Sequence, residues 1–159
     1  MIRVGIGYDS HPFVEGRPLI LGGQHITHHK GLAGYSDADA VSHALTDAIL
    51  GAVGAGDIGS FFPPGEPRWK DADSLYLLHL AVEHLRERGW VPLQADLSII
   101  TEEPRIGPYA PNMRAALARV LGVATEAVSV KAKTNESMGF IGRGEGLAVI
   151  AVATVGEAG

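Results

Sequence analysis

The sequence predicts an α/β (α+β) protein: a mixed four-stranded sheet with helices packed on one face, plus a small hairpin. Three observations carry this. Segments that alternate with a period of two are interleaved with amphipathic segments of helical period. A short apolar run is turned back on itself at Gly22-Gly23. No linker, internal repeat or low-complexity tract divides the 159 residues, so one domain over residues 1–159 is expected.

The first strand is expected around Ile2, Val4 and Ile6, which alternate with Arg3 and Gly5 as in a half-buried strand. Pro18 to Leu21, Gly22-Gly23 and Gln24 to Ile26 form the hairpin, with His25, His28 and His29 as solvated loop residues beside Lys30. Ser36-Asp37-Ala38-Asp39 reads as a capping box in which Ser36 is the N-cap and Asp39 reaches back to it. Val41, Ala44, Leu45, Ala48, Ile49 and Ala52 then make the core stripe of a helix, closed by the glycines at 51, 54, 56 and 59 and a loop with Asp57. The cluster Phe61-Phe62-Pro63-Pro64-Gly65 is unsuited to helix; it either walls a pocket or covers the core.

Asp73 to Arg88 is a second amphipathic helix, with Leu75, Leu78, Val82 and Leu85 inward and Gly89 as its stop; His79 and His84 lie off that stripe. The strand Gln94 to Thr101 alternates Ala95, Leu97 and Ile99 against Asp96 and Ser98. Pro111 suits the start of a third helix ending at Gly122, with Met113, Leu117 and Val120 inward. Ala127 to Thr134 places Val128, Val130 and Ala132 on one face of a strand. Leu147 to Val155 is almost wholly apolar, as a central strand covered on both faces would be.

Composition narrows the function. A hydrophobic content of 46% with mixed charge describes a folded globular chain. No apolar run approaches the roughly 20 residues that span a membrane, and Met1-Ile2-Arg3 enters a strand without a signal-peptide pattern, so a cytoplasmic protein with no membrane partner is expected. A formal net charge of -5 argues against a nucleic-acid binder, which would need a basic stripe to neutralise phosphates. With no cysteine, any metal must be held by nitrogen and oxygen.

Three stretches have the chemistry for that. In Gly7-Tyr8-Asp9-Ser10-His11 the carboxylate and imidazole are two residues apart on an extended backbone, hence on one face. On the helix, Asp39, His43 and Asp47 follow at intervals of four. They make His43 either a metal ligand whose second ring nitrogen is held by a carboxylate or backbone oxygen, or part of a surface ladder. Between the last two strands, Lys133-Thr134-Asn135-Glu136 and the glycine-rich run to Gly146 combine a cation, a hydroxyl and a carboxylate. That segment is either a phosphate and magnesium site or a turn with solvated charges.

These stretches, with Gly22-Gly23, Ser36-Asp37-Ala38-Asp39, His43-Ala44-Leu45-Thr46-Asp47-Ala48, Gly56-Asp57-Ile58-Gly59 and Gly139-Phe140-Ile141-Gly142-Arg143-Gly144-Glu145-Gly146, follow one another in the order of a known family. The chain resembles the 2-C-methyl-D-erythritol 2,4-cyclodiphosphate synthases along essentially its whole length. The resemblance implies a homotrimer with active sites between chains, in the nonmevalonate route to isoprenoid precursors. The substrate implied is 4-diphosphocytidyl-2-C-methyl-D-erythritol 2-phosphate, which cyclises with loss of CMP.

By the same resemblance, Asp9, His11 and His43 bind one zinc ion per chain, and Glu136 helps hold a second divalent ion, magnesium or manganese. Tyr35 and Thr134 stand at the catalytic positions. Asp9, His11, Tyr35, Ser36, Asp57, Ile58 and Gly59 contact the substrate, and Phe62, Pro63, Pro64, Gly65 and Glu66 form the methylerythritol side. Thr101, Glu102, Glu103, Pro104, Arg105, Ile106 and Gly107, with Lys133, Thr134, Asn135 and Glu136, form the cytidine side across the chain boundary. Phe140, Arg143 and Glu145 match residues around a central trimer cavity that can take an isoprenoid diphosphate. Two positions depart from the pattern: Tyr35 stands where histidine is frequent, and Lys133 where threonine is common. A metal-dependent phosphohydrolase and a non-catalytic trimeric nucleotide-binding module remain the alternatives.

Overall fold

A computed structural model describes residues 1–159. In chain order the elements are β1 (Ile2–Glu15), β2 (Leu19–Leu21), β3 (Gln24–Ile26), β4 (Lys30–Leu32), α1 (Ala40–Ala52), α2 (Ile58–Phe61), α3 (Ser74–Glu87), β5 (Trp90–Ile100), α4 (Ala110–Leu121), β6 (Val128–Lys133), α5 (Gly139–Gly142) and β7 (Gly146–Glu157).

The main sheet is mixed, in the order β4-β1-β7-β5-β6, and β2 with β3 forms the separate hairpin. The four sheet strands expected, three from alternation and one from its apolar run, are all present as β1, β5, β6 and β7. A fifth, β4, pairs antiparallel with the end of β1, Phe13 lying opposite Leu32. Its three residues are too few to display a period. Strand β7 runs antiparallel to β1 on one side and to β5 on the other, and β5 pairs parallel with β6. A parallel pair needs a crossover, which α4 supplies.

Helices α1, α3 and α4 cover one face. Leu45 and Ile49 of α1, Leu78 and Leu85 of α3, and Met113 and Leu117 of α4 are buried with Leu97, Ile99, Val149 and Ala151 of the sheet. In α4 the inward residue near the end is Leu121 rather than Val120, which packs only at the margin; Gly122, in the left-handed region, stops the helix.

The alternation in β1 has the opposite sense from the one its apolar residues suggest. Gly5 and Gly7 face α1, while Ile2, Val4, Ile6 and Tyr8 point away from the helices and are 68%, 63%, 70% and 55% exposed. The reason is close packing. A Cβ on Gly5 would lie 1.8 Å from the Ala48 carbonyl oxygen, and one on Gly7 1.8 Å from that of Ala44. The helix sits on the strand backbone itself, which leaves no room for side chains. Strand β7 is central, as expected, but only its helix side is covered in the protomer, since Ile150 and Val152 stay exposed on the same open face.

The capping box also shifts. Asp39, not Ser36, is the N-cap of α1, and its side chain accepts from the Ser42 amide. Asp39 wins because it is wholly buried and takes further hydrogen bonds at 2.8 Å from the amides of Gly22 and Gly23, tying the helix to the hairpin turn.

A candidate metal centre and its surrounding pockets

Because residues 5, 7, 9 and 11 of β1 share the side facing α1, the two glycines bring the helix close and Asp9 and His11 meet its first turn. There they find His43. Asp9 Oδ2 lies 2.7 Å from His11 Nε2 and 3.3 Å from His43 Nδ1, and the two ring nitrogens are 3.3 Å apart.

Three potential ligand atoms thus converge on one point. The other nitrogen of His11, Nδ1, is 2.7 Å from the Ala33 carbonyl oxygen. A carbonyl only accepts, so Nδ1 carries the proton of the neutral ring and Nε2 presents a lone pair. Asp9 Oδ2 is buried and receives no hydrogen bond. A carboxylate oxygen and two imidazole nitrogens converging at these distances suit a shared cation. The set of two nitrogens and one oxygen, with a remaining side open to a pocket, fits zinc of the catalytic kind. Burial opposes charge on both partners. The contacts with His11 and His43 nevertheless hold the Asp9 carboxyl below its usual range, and Asp9 in turn raises His11 above the ordinary imidazole value.

The helix residues spaced by four do not form a surface ladder. Asp39 caps the helix from a fully buried position, where burial pushes its pKa up against the pull of the amides it accepts from. Asp47 is half-buried, also raised by burial, and accepts from the Ile58 amide at 2.7 Å, which fixes the start of α2. His43 Nε2 is held neither by a carboxylate nor by a backbone oxygen. It faces the hydroxyls of Ser74 at 2.8 Å and Ser36 at 3.1 Å. Asp37, quoted in the sequence only as part of the Ser36-Asp37-Ala38-Asp39 motif, and Ser74, which nothing in the sequence marked, belong to this network; Ser74 comes from the start of α3, distant in the chain.

A pocket opens from the three ligand atoms. Tyr35, Ser36, Ile58, Gly59, Phe62 and Pro64 line it, joined by Trp69 and Leu77, which sequence reasoning missed. Phe62 meets Trp69 edge to face at 4.9 Å, so the aromatic and proline cluster does wall a pocket. The Tyr35 hydroxyl donates to the Glu66 carbonyl at 3.0 Å, whereas the amides of Tyr35 and Ser36 make no hydrogen bond within the chain. Asp57 is turned to its own helix, its carboxylate accepting from the amide and hydroxyl of Ser60 at 2.8 Å each. Pro63 and Gly65 do not line this pocket, and the Glu66 carboxylate pairs with Arg68 at 2.8 Å.

The other expected residues gather elsewhere. Thr101, Glu102, Pro104, Arg105, Ile106 and Gly107 share a second cavity with Lys133 and Thr134, and it has no residue in common with the first. Glu103 contributes its carbonyl, which accepts from the Thr101 hydroxyl. Beside this cavity Glu136 and Ser137 hold left-handed backbones, φ +54° and +60°, unusual for residues with side chains. Glu102 holds them there: one carboxylate oxygen accepts from the amides of Asn135 at 3.0 Å and Ser137 at 3.1 Å. Phe140 faces Ser10, His11 and Pro12 in a third recess, and Arg143 pairs with Glu145 at 3.1 Å.

Comparison with known proteins agrees with this geometry. Residues 2–156 match the model of the YgbB family. A 2-C-methyl-D-erythritol 2,4-cyclodiphosphate synthase of Symbiobacterium thermophilum is 53% identical, with 96% of this chain and 97% of that one aligned. One from Moorella thermoacetica is 52% identical over 95% of this chain and 93% of that protein. Among solved structures, the bifunctional IspDF of Campylobacter jejuni superposes with a TM-score of 0.95 at 39% identity, covering 99% of this chain and 42% of that one. A 2C-methyl-D-erythritol-2,4-cyclodiphosphate synthase in a CDP-bound form gives 0.89 at 36% identity, over 97% of this chain and all of that one.

Proposed function

The chain belongs to the YgbB family, and from that premise we propose that it cyclises 4-diphosphocytidyl-2-C-methyl-D-erythritol 2-phosphate to 2-C-methyl-D-erythritol 2,4-cyclodiphosphate with release of CMP, in the making of isoprenoid precursors. It is an enzyme of the phosphorus-oxygen lyase type. The observation that carries the reading is the convergence of Asp9 Oδ2, His11 Nε2 and His43 Nδ1 beside a pocket whose backbone amides at Tyr35 and Ser36 are free to bind an anion.

In this reaction an oxygen of the 2-phosphate forms a bond to the β-phosphorus, and the bond from that phosphorus to the bridging oxygen breaks. CMP leaves with the electron pair. No covalent enzyme intermediate is needed, which suits a chain without cysteine. The obstacle is bringing two anionic groups into line. Zinc held by Asp9, His11 and His43, and magnesium or manganese held by Glu136, would supply neutralisation and alignment of the diphosphate when bound. The chain does the remaining work. The amides of Tyr35 and Ser36 hold phosphate oxygens, Tyr35 and Thr134 flank the transferred group, and Phe62 to Glu66 with Ile58 and Gly59 enclose the methylerythritol and exclude water. Asp57 lies at the edge for the substrate hydroxyls. Thr101 to Gly107, Lys133, Thr134 and Asn135 form the cytidine side. Glu136 is a single carboxylate, which suits an ion completed by substrate phosphates.

In a homotrimer of the kind the resemblance implies, one protomer's Thr101–Thr134 cavity would face its partner's metal pocket; that the two cavities share no residue within the protomer suits this arrangement. A small-molecule ligand also suits a chain of net charge -5, and no helix is long and apolar enough to cross a membrane.

Incubation with the cytidyl diphosphate substrate, followed by phosphorus NMR, tests the reading. Cyclic diphosphate plus CMP is expected. Hydrolysed fragments instead would make the protein a phosphohydrolase, and an unchanged substrate a binding module. His43→Ala is expected to lose the ion and most turnover, at least about a hundredfold, while staying folded; Glu136→Gln is expected to weaken the magnesium dependence with zinc retained, as metal analysis and a magnesium titration will register.

A further inference from the structure

The nitrogen of His43 that faces away from Asp9 meets two hydroxyls, and the direction of the hydrogen bonds around them decides which ring nitrogen is free for a metal. Asp37 is surrounded by donors. Its Oδ1 accepts from the Asp39 amide at 3.1 Å, its Oδ2 accepts from the Ser74 amide at 3.1 Å, and the Ser74 hydroxyl also donates to Oδ1. An ionised carboxylate has only lone pairs to offer, so the one proton of the Ser74 hydroxyl is committed to it. Ser74 Oγ, fully buried at the first residue of α3, therefore turns lone pairs toward His43 Nε2, 2.8 Å away. Nε2 must carry the ring proton, and Nδ1 is left bare, 3.3 Å from both Asp9 Oδ2 and His11 Nε2.

The structure assigns Asp37 and Ser74 the role of positioning residues that, through a directed Asp37–Ser74–His43 chain of hydrogen bonds, hold His43 in the tautomer whose Nδ1 ligates the metal. This rests on the metal reading of Asp9, His11 and His43 given above. Ser36 has a different part. Its oxygen accepts from the Ala38 amide at 3.2 Å and lies 3.1 Å from His43 Nε2 and 3.3 Å from the Ser74 oxygen, with no carboxylate to bind its own proton. The Ser36 proton can thus turn to an anion in the pocket, while the Ser74 proton cannot. Two serines near one imidazole, at 2.8 Å and 3.1 Å, are distinguished by what lies behind them. The chain also draws the metal ligand from three separate parts of the sequence: the segment before α1, α1 itself and the start of α3.

Zinc affinity of the metal-stripped protein, measured by competition with a chromophoric chelator, and the nitrogen-15 NMR spectrum of the histidine rings test the assignment. In the wild type a single protonated Nε2 is expected at His43. Ser74→Ala and Asp37→Asn are expected to lower zinc affinity about 10- to 100-fold and to mix or invert the His43 tautomer. Asn at 37 has the shape of Asp but cannot accept from all three donors. Ser36→Ala is expected to stay within about threefold of wild type in zinc affinity, since the carboxylate-backed acceptor remains. If both Ser74→Ala and Asp37→Asn keep wild-type affinity and tautomer while His43→Ala loses the ion, the positioning role is overturned and the metal site stands. If His43→Ala binds zinc as tightly as wild type, the metal reading falls, and the positioning role with it.

Discussion

Gly5 and Gly7 act through what they lack. With 1.8 Å between a would-be Cβ and a carbonyl of α1 at each, alanine at either position forces the helix off the sheet and carries His43 away from Asp9 and His11. Backbone against backbone cannot yield as a flexible side chain would. We expect Gly7→Ala to cost about 3 kcal/mol or more by denaturant unfolding, and to reduce zinc binding in whatever folds. Asp39 is the polar counterpart. It accepts from two hairpin amides and from the amide and hydroxyl of Ser42, so an amide side chain there would set donor against donor in a fully buried place. Asp39→Asn is expected to destabilise by about 2–3 kcal/mol in the same measurement.

At the scale of elements, short helices and loops are held by single carboxylates. Asp57 caps α2; hydrogen bonds from the Ser60 hydroxyl and amide hold its pKa below the ordinary aspartate value. A lowered folded-state pKa means that the cap's contribution is present above the unfolded value, near ~3.9, and is lost as pH falls through the folded one. Protection of the Ser60 amide from hydrogen exchange should therefore be level from neutral pH down to about 5 and should fall below about 4. Glu102 does similar work for the loop carrying Glu136 by collecting two of its amides and offsetting two left-handed residues that would each cost about 1–3 kcal/mol. In Glu102→Ala, exchange at Asn135 and Ser137 is expected to quicken, and the magnesium needed for half-maximal turnover to rise about tenfold; Glu102→Gln, which keeps the accepting oxygen, should restore both.

Seen whole, the protomer has a sheet with one face packed and the other open. Ile2, Val4, Ile6 and Tyr8 of β1 and Ile150 and Val152 of β7 lie side by side on that open face, a contiguous apolar surface of the kind that copies of a chain cover. It accounts for the near-continuous apolarity of β7, which a single covered face would not require. A trimer that covers this face predicts that Ile6→Glu yields monomers by light scattering. Those monomers are expected to retain zinc at the triad yet lose at least about a hundredfold in turnover, because the metal pocket and the Thr101–Thr134 cavity then no longer meet.

The local rules of the chain were legible without coordinates. Alternation located β1, β5 and β6, a continuous apolar run located β7, helical periodicity located α1, α3 and α4, and the Asp-x-His spacing put two potential ligand atoms on one face of β1. The ordered motifs brought in the family. These features follow from backbone geometry within a few residues. Which face of β1 is buried, which residue caps α1 and which hydroxyl holds His43 depend on groups distant in the chain, namely Ala44 and Ala48 opposite the glycines, the Gly22-Gly23 turn under Asp39, and Ser74 behind the imidazole. Burial and hydrogen-bond direction are set by what the fold brings alongside, so only the tertiary structure could decide them.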